Sequence, residues 1–469
     1  MNQIKLRGIV AAISGVLLMG ALPAMADSTD DIINALMAKG VLTEEEGALL
    51  MKGRTGEKEA AEEKKQKEIK ASYKDGITFE SADKKNSLSV NGRVQLDYRA
   101  FDGGNTDQAT ADTFDVRRAY LGVKGKFMDY YEFAVITDFA SKDDTGKSKS
   151  AQLDEAYFNI NWWKQAQFKF GQFKMPMSLE EQTSSRFIDF QERSMMNGFV
   201  PGKEIGAMVH GEPMAGVYYG LALSTGEGKN NIDTSNKSDS NAVIGRASVN
   251  IAELIGHKDN VYHLAVSGAK DHNAGIKTDV STEGKGMKFF AMPTLDATNS
   301  DRTRYGLEGA LAIGPVKLQS EWLRANYQGH VAAGNYDNDI DIWYAEALWL
   351  ITGEKYADSY KTGGKFDRIK PLNDFNPAGK GMGAWEVGVR YTKFDASDFA
   401  ATGTSKLKLS GTTSTAEADA WTLGLKWIPM PNTRFLANYV RTDFDTPITC
   451  SSKKCDKEDA FTVRAQFDF

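Results

Sequence analysis

The chain reads as all-β: a transmembrane antiparallel β-barrel of about sixteen strands, with eighteen as the alternative, preceded by a short N-terminal helical extension. Three observations carry this reading. Segments of alternating apolar and polar residues recur from about Leu88 to the C-terminus. Their connections alternate between short turns and long loops, the pattern of outer-membrane barrels. The last ten residues, AFTVRAQFDF, set Phe461, Val463, Ala465, Phe467 and the terminal Phe469 on one face, against Thr462, Arg464, Gln466 and Asp468 on the other.

Composition agrees. Aromatic residues make up 10% of the 469, there are 44 Gly but only 11 Pro, and the mean hydropathy of −0.43 excludes a bundle of membrane helices. Beyond residue 26 no apolar run approaches the roughly 18 residues that a spanning helix needs. In lipid every backbone N–H and C=O must pair internally, so alternating strands can span only as a closed barrel.

Residues 1–26 form a secretory leader. Lys5 and Arg7 precede an apolar core from Gly8 to Leu22, and Ala24-Met25-Ala26 gives a cleavage site before Asp27. Its removal leaves 55 basic side chains against 63 acidic, a net charge of −8. Bulk charge therefore favours no anionic solute, and any such preference depends on which charges face the lumen.

Residues 27–71 read as a charged, periplasmic helical segment. Ile33, Leu36 and Met37 share an apolar face, Gly40 ends the first helix, and Thr43 caps a second that carries Leu49 and Leu50. The following EKEAAEEKKQKEIKA is either a solvated linker helix or a coiled-coil extension beside a trimer.

The barrel occupies residues 72–469. Strands are expected near 88–98, 112–126, 130–140, 151–163, 166–174, 203–211, 215–225, 241–252, 260–270, 302–313, 315–327, 339–351, 383–395, 418–428, 432–445 and 458–469. A stretch near 76–82 could add another. Long connections are expected at 102–111, 141–150, 175–202, 226–240, 271–301, 328–338, 396–417 and 446–457. Residues 352–382 are long yet fall on the short-turn side, so they form a periplasmic excursion or the count is wrong by a hairpin.

Charge on the lipid face costs about 2–4 kcal/mol for Arg or Lys at mid-bilayer. Strand cations must therefore face inward, which selects Arg93, Arg99, Arg118, Lys124, Lys169, Arg246, Arg390, Lys426 and Arg464 as lumen-lining. Asp97, Glu132, Asp138, Glu155, Glu308, Glu321, Glu346 and Glu386 are the acids on the same face. Each cation is either part of a cross-strand ion pair or part of a conduction path.

The irregular stretch of chemical interest runs from Lys174 to Lys203. Pro176 stops strand pairing by removing a donor, and a loop of this length inside an ordered fold is usually functional. It is expected to fold into the lumen as a constriction carrying Lys174, Arg186, Glu192 and Arg193, with the guanidinium groups of Arg186 and Arg193 suited to oxyanions. Cys450 and Cys455 in CSSKKC are expected to form a surface disulfide, with two free thiols as the alternative. Five scattered histidines supply no metal cluster and no Ser–His motif, so neither a metal, a cofactor nor an enzymatic role is expected.

GQFKMPMSLEEQTSSRFIDFQERSM resembles the strand and constriction loop of the phosphate-selective porins of the O and P type, and DVRRAYLGVKGKF, IGPVKLQSEW, LITGEKY, GAWEVGVRY and FTVRAQFDF resemble other strands of that family. The resemblance implies an outer-membrane homotrimer of sixteen-stranded barrels in a Gram-negative bacterium. Each pore would be narrowed by inward loops and lined by Arg and Lys that pass small anionic solutes. Its loop motif carries over to Lys174, Pro176, Leu179, Glu180, Ser184, Ser185, Arg186, Phe190, Glu192 and Arg193. Met177 departs from the usual aromatic residue, and no cluster of lysines aligns at the constriction. The expected function is passive diffusion of small solutes with a preference for anions, phosphate or other oxyanions among them. The alternative is a barrel that scaffolds an exported partner protein. Outer-membrane lipid surrounds either, and no nucleic acid is involved.

Overall fold

The computed structural model describes residues 28–53, 55, 68–73, 76–102, 112–142, 149–226, 228–231, 241–272, 278–296, 299–409, 411–450 and 453–469. The leader and the charged run 57–67 lie outside these residues. The chain divides into two compact units, Met1–Glu68 and Ile69–Phe469.

In the first unit, α1 spans Ser28–Ala38 and ends at Gly40, whose φ of 70° suits glycine. A second helix starts at Glu44. Thr43 Oγ1 accepts from Glu46 N at 3.2 Å while Glu46 Oε2 accepts from Thr43 N at 3.0 Å, a reciprocal capping box.

The second unit is the barrel. Two short strands come first, β1 (Ile69–Tyr73) and β2 (Ile77–Ser81). Sixteen long strands close the wall. The first ten are β3 (Ser87–Asp102), β4 (Thr113–Phe127), β5 (Tyr131–Asp138), β6 (Gln152–Trp163), β7 (Ala166–Lys174), β8 (Lys203–Met214), β9 (Val217–Ser224), β10 (Asn241–Asn250), β11 (Asn260–His272) and, after the small pair β12 (Val280–Ser281) and β13 (Lys288–Phe290), β14 (Ser300–Ile313). They continue as β15 (Val316–Val331), β16 (Gly334–Leu350) and, after the small pair β17 (Tyr360–Lys361) and β18 (Lys365–Phe366), β19 (Ala384–Asp395), β20 (Glu417–Met430), β21 (Thr433–Cys450) and β22 (Lys453–Asp468).

Every long strand pairs antiparallel with its sequence neighbour, and β22 returns to β3, with Arg464 opposite Asp97. Gly92 and Phe469 exchange backbone hydrogen bonds of 2.8 and 3.0 Å across that seam. The barrel thus has sixteen strands. The eighteen-strand count is met differently: β2 pairs with β3 and β1 with β2, so both belong to the sheet without widening the closed wall. Ile69–Tyr73 is strand, which corrects the reading of a helical segment reaching residue 71.

Two further corrections concern loops. Residues 328–338 and 446–457 are not open connections, because β15 and β16 run on to a turn at 332–333, and β21 and β22 extend to residues 450 and 453. These hairpins project as paired ribbons, which satisfy their own backbone groups. The disulfide Cys450–Cys455 ties the tip of the second.

The outer face is apolar, with two aromatic belts. Trp343, Tyr391 and Trp421 make one, in tilted contact at centroid spacings of 5.4 and 4.8 Å. Trp385, Trp427 and Phe435 form the other, each neighbouring pair 5.5 Å apart. On β19 the two belts are six residues apart, roughly 20 Å along the strand, or about 15 Å of height at a strand tilt of about 40°, within the roughly 25 Å of a barrel's lipid-facing band.

The lumen is largely filled. The connections at 175–202, 278–296 and 396–409 fold inward and bury Met175, Met177, Met195, Met196, Phe199, Met287, Phe289, Phe290, Phe399 and Leu407 against wall residues such as Ala222, Ala242, Ala269 and Ile244. Inward-facing alanines here make room for loop side chains, and methionine fills the irregular gaps. From the other mouth, residues 351–383 also turn inward, placing Tyr356, Phe366 and Ile369 against Val261, Ala310, Leu348 and Ile428. The long connection on the short-turn side is therefore a second inward fold and not a miscounted hairpin.

Candidate pore constriction and chamber

The loop between β7 and β8 crosses the lumen. Met175 N donates to Gly202 O at 2.9 Å, closing its neck. A helical turn, Leu179–Gln182, is capped by Ser178, whose Oγ accepts from Glu181 N. Its first amides, Leu179 N and Glu180 N, donate to the Glu321 carboxylate of β15 at 2.9 and 2.7 Å. Leu179 and Met177 are fully buried, as a loop packed back on the wall requires.

Phe190 is the central wedge. It sits where Gly388 of β19 and Gly424 of β20 face each other across the ladder. A Cβ on Gly424 would stand 2.8 Å from the Phe190 ring, and one on Gly388 3.2 Å from it. Both glycines are thus sites of close approach. The Arg390 guanidinium lies 4.8 Å over the other part of this aromatic face.

Arg390 joins three elements. It donates to Glu180 Oε1 at 3.1 Å and to Glu192 O at 3.1 Å in the constriction loop, and to Glu283 Oε2 at 2.8 Å in the connection 278–296. Glu283 also accepts from Thr392, Thr422 and Met195 N. Burial pushes the Glu180 carboxyl above its usual range, with Arg390 and Ser194 opposing.

Farther round the wall, where β22, β3 and β4 adjoin, Glu192 meets four guanidinium groups. Arg99 Nη2 and Arg117 Nε each lie 2.9 Å from Oε1, Arg464 Nη2 3.0 Å from Oε1, and Arg118 Nη2 4.0 Å from Oε2. Burial alone would raise this carboxyl, yet Arg117, Arg118, Arg464 and Arg99 hold it well below the usual range. Asp97 completes the group through Arg464 at 2.6 Å and Arg99 at 2.7 Å.

Beside the loop lies a chamber of about 470 Å³. Eight cations line it: Arg93, Lys124, Lys169, Lys174, Arg186, Lys203, Lys365 and Arg368, against the acids Asp154, Glu155 and Asp367. Lys203 is paired with Asp154 and, at 3.1 Å, with Glu155. Arg368 is paired with Asp468, and Lys174 donates to the carbonyls of Glu181 and Thr183. Arg93 donates to Ser185 Oγ at 2.8 Å and Arg186 to Asn91 Oδ1 at 3.1 Å. Lys124, Lys169 and Lys365 form no ion pair among the described residues. Lys169 instead lies 4.7 Å over the Tyr157 ring.

The structure thus divides the cations expected from the sequence. Arg93, Lys124, Lys169, Lys174 and Arg186 meet in the chamber. Arg99, Arg118 and Arg464 surround Glu192. Arg246 is locked to Glu308 at 2.7 Å, Lys426 to Glu386 at 2.6 Å, and Arg390 to the loop carboxylates. Arg193 turns away from the chamber to the loop's own backbone, donating to Glu180 O at 3.0 Å and Thr183 O at 2.9 Å.

Four of these cations were not expected from the sequence, Arg368 of the connection 351–383 among them. Arg117 faces inward because a bulge in β4, opposite the step from Gln95 to Leu96, breaks the alternation. Lys203 stands at a strand end. Lys365 belongs to the excursion 351–383, which Arg246 grips through Gly363 O and Gly364 O, both at 2.9 Å. The doubled basic pair in DVRRAY was the one available sign of a bulge.

A closed sixteen-stranded antiparallel barrel with aromatic belts and inward-folded loops is the architecture of an outer-membrane porin. The loop-deleted OmpT, an outer membrane protein of Vibrio cholerae, superposes with a TM-score of 0.51 at 12% identity, covering 82% of this chain and 100% of that one. The outer membrane channel DcaP of Acinetobacter baumannii gives 0.50 at 12% identity, covering 82% and 97%. Residues 88–469 match the family described as phosphate-selective porin O and P, and the chain belongs to that family. Porin O of Pseudomonas aeruginosa is 29% identical over 427 residues, which is 84% of this chain and 91% of that protein. The protein is therefore a porin of the Gram-negative outer membrane.

Proposed function

We propose that this porin passes small oxyanions by passive diffusion and that Lys124, Lys169 and Lys365 attract them into the chamber. The observation that carries the reading is the segregation of charge. Glu308, Glu321, Glu346 and Glu386 lie buried behind the loops, while the chamber presents lysines without acidic partners. A chain of net negative charge can in this way offer anions a positive path, because lumenal charge near low-dielectric walls acts at short range. The family's description as phosphate-selective supports phosphate as one such solute. A scaffold for an exported protein would have no use for an open cationic chamber.

The same reading includes a homotrimer, a cleaved leader over residues 1–26 and a periplasmic helical segment ahead of the barrel. The test is the reversal potential of the purified protein in a planar bilayer under a salt gradient. Anion selectivity, with chloride current reduced by added phosphate, is expected. The double variant Lys169→Gln/Lys365→Gln should lose most of the phosphate effect while remaining a folded barrel. Clear cation preference in the wild type would overturn the proposal.

A further inference from the structure

The Glu192 carboxylate does not hold the loop alone. On both sides of it the wall already grips the backbone: Arg464 Nη1 donates to Gln191 O at 2.5 Å, Arg390 Nη2 to Glu192 O at 3.1 Å, and Gln95 and Gln466 donate to Ser185 O and Arg186 O at 3.0 and 3.1 Å. The carboxylate is therefore not the sole anchor of the loop on this wall, yet it collects four guanidinium groups from β3, β4 and β22. That donor set, planar forks converging on one pair of oxygens, is the chemistry of an oxyanion site.

We propose that Glu192 is a resident counter-anion: its carboxylate occupies a four-guanidinium oxyanion site in the lumen wall, and a permeating oxyanion passes by exchanging with it. Arg117 keeps about a third of its side chain exposed, so the site is open to lumenal water on one side. On the other side, the space bounded by Phe190, Glu192, Glu283 and Arg390 has a volume of about 10 Å³, too little for a hydrated anion beside the carboxylate. Four guanidinium groups against Asp97 and Glu192 leave the group with two positive charges in excess. The incoming anion therefore meets net attraction and the leaving one meets a competitor already in place, which is how a site binds without trapping. Multiply charged oxyanions gain more from this exchange than chloride does.

This inference rests on the anion-conducting reading, and the experiment separates the two. Chloride current through wild type and Glu192→Gln is measured in bilayers, with inorganic phosphate as the inhibitor. Liposome swelling with a neutral sugar monitors pore size, and heat-modifiable electrophoretic mobility monitors folding. With the competitor removed, phosphate should inhibit at concentrations about tenfold lower, the equivalent of one charge-assisted hydrogen bond. Sugar flux should be unchanged, and Glu192→Asp should behave as wild type. Unchanged phosphate inhibition in an anion-selective Glu192→Gln pore overturns the inference alone, as does a rise in sugar flux without tighter inhibition, because then Glu192 merely pins the loop. Wild type without anion preference overturns the underlying reading instead. If Glu192→Gln does not fold, Arg117→Gln decides: weaker phosphate inhibition supports the exchange site, and wild-type inhibition overturns it.

Discussion

Arg390 shows how a single side chain can organise a lumen. It is buried, and its partners Glu180 and Glu283 are buried with it. Removing one member of such a group leaves uncompensated charge, at about 3–5 kcal/mol. Arg390→Ala should therefore release both inward connections from β19 while the wall stays closed. Limited proteolysis should cut within 175–202 in the variant and not in the wild type, with the barrel still resistant to detergent. The inward direction of Arg390 follows from WEVGVRY alone, since an arginine between Val389 and Tyr391 has only the lumen to face. Its partners do not follow, because Glu180 and Glu283 lie more than a hundred residues away and no local period connects them. The same holds for the chamber. Alternation finds Lys124 and Lys169 on separate strands, but their convergence with Lys365 depends on an excursion whose destination no periodicity reports.

The constriction loop is held at two points that respond to acid in opposite ways. Glu180 has its carboxyl pushed up by burial, so its pairing with Arg390 weakens as the pH falls, before ordinary glutamates titrate near about 4.3. Glu192 has its carboxyl held down, so its contribution is fully present above the unfolded-state value and is lost only as the pH falls through the depressed folded-state value. Acidification should then loosen the Arg390 side first and leave the Glu192 side engaged. Open-channel noise recorded from pH 7 downward should rise in one early step, and Arg390→Ala should abolish that step. Most of this loop was legible as an element. Its length, its bounding residues Lys174 and Lys203, and its inward fold follow from a polar, irregular stretch between two alternating ones. The role of Arg193 was not, because a sequence cannot tell a guanidinium that faces the lumen from one that caps its own loop's carbonyls.

For the whole molecule, the decisive contact is the seam. Phe469 pairs through its backbone with Gly92 and lays its ring where a Cβ on Gly92 would come within 2.7 Å. Phe469→Ala should reduce the fraction of chain that reaches the folded, heat-modifiable form in the outer membrane, with pores that do form conducting normally. A matching drop in unit conductance would place the residue in the pore path instead. Closure itself was readable, since the terminal alternation demands a partner and a barrel offers only the first long strand. The two ribbons at 328–338 and 446–457 read as loops because Gly329, Gly334, Pro447 and a run of polar residues interrupt the alternation, although Tyr336, Ile448 and Cys455 still turn one face to the buried apolar cluster.

The inward folds also change what kind of object the barrel is. A bare cylinder of sixteen strands is a thin shell whose outline is set by strand number and tilt and which can flatten under side pressure from the bilayer. Here the loop is rooted between β7 and β8, while its tip seats Phe190 between β19 and β20, takes Lys317 of β15 on Asp189 at 2.7 Å and Arg464 of β22 on Gln191, so it braces the side of the wall that faces its own root. The shell carries an internal strut. Its cross-section is consequently a property of its contents as much as of its wall, and the passage keeps its calibre while the surrounding membrane thins, thickens or bends.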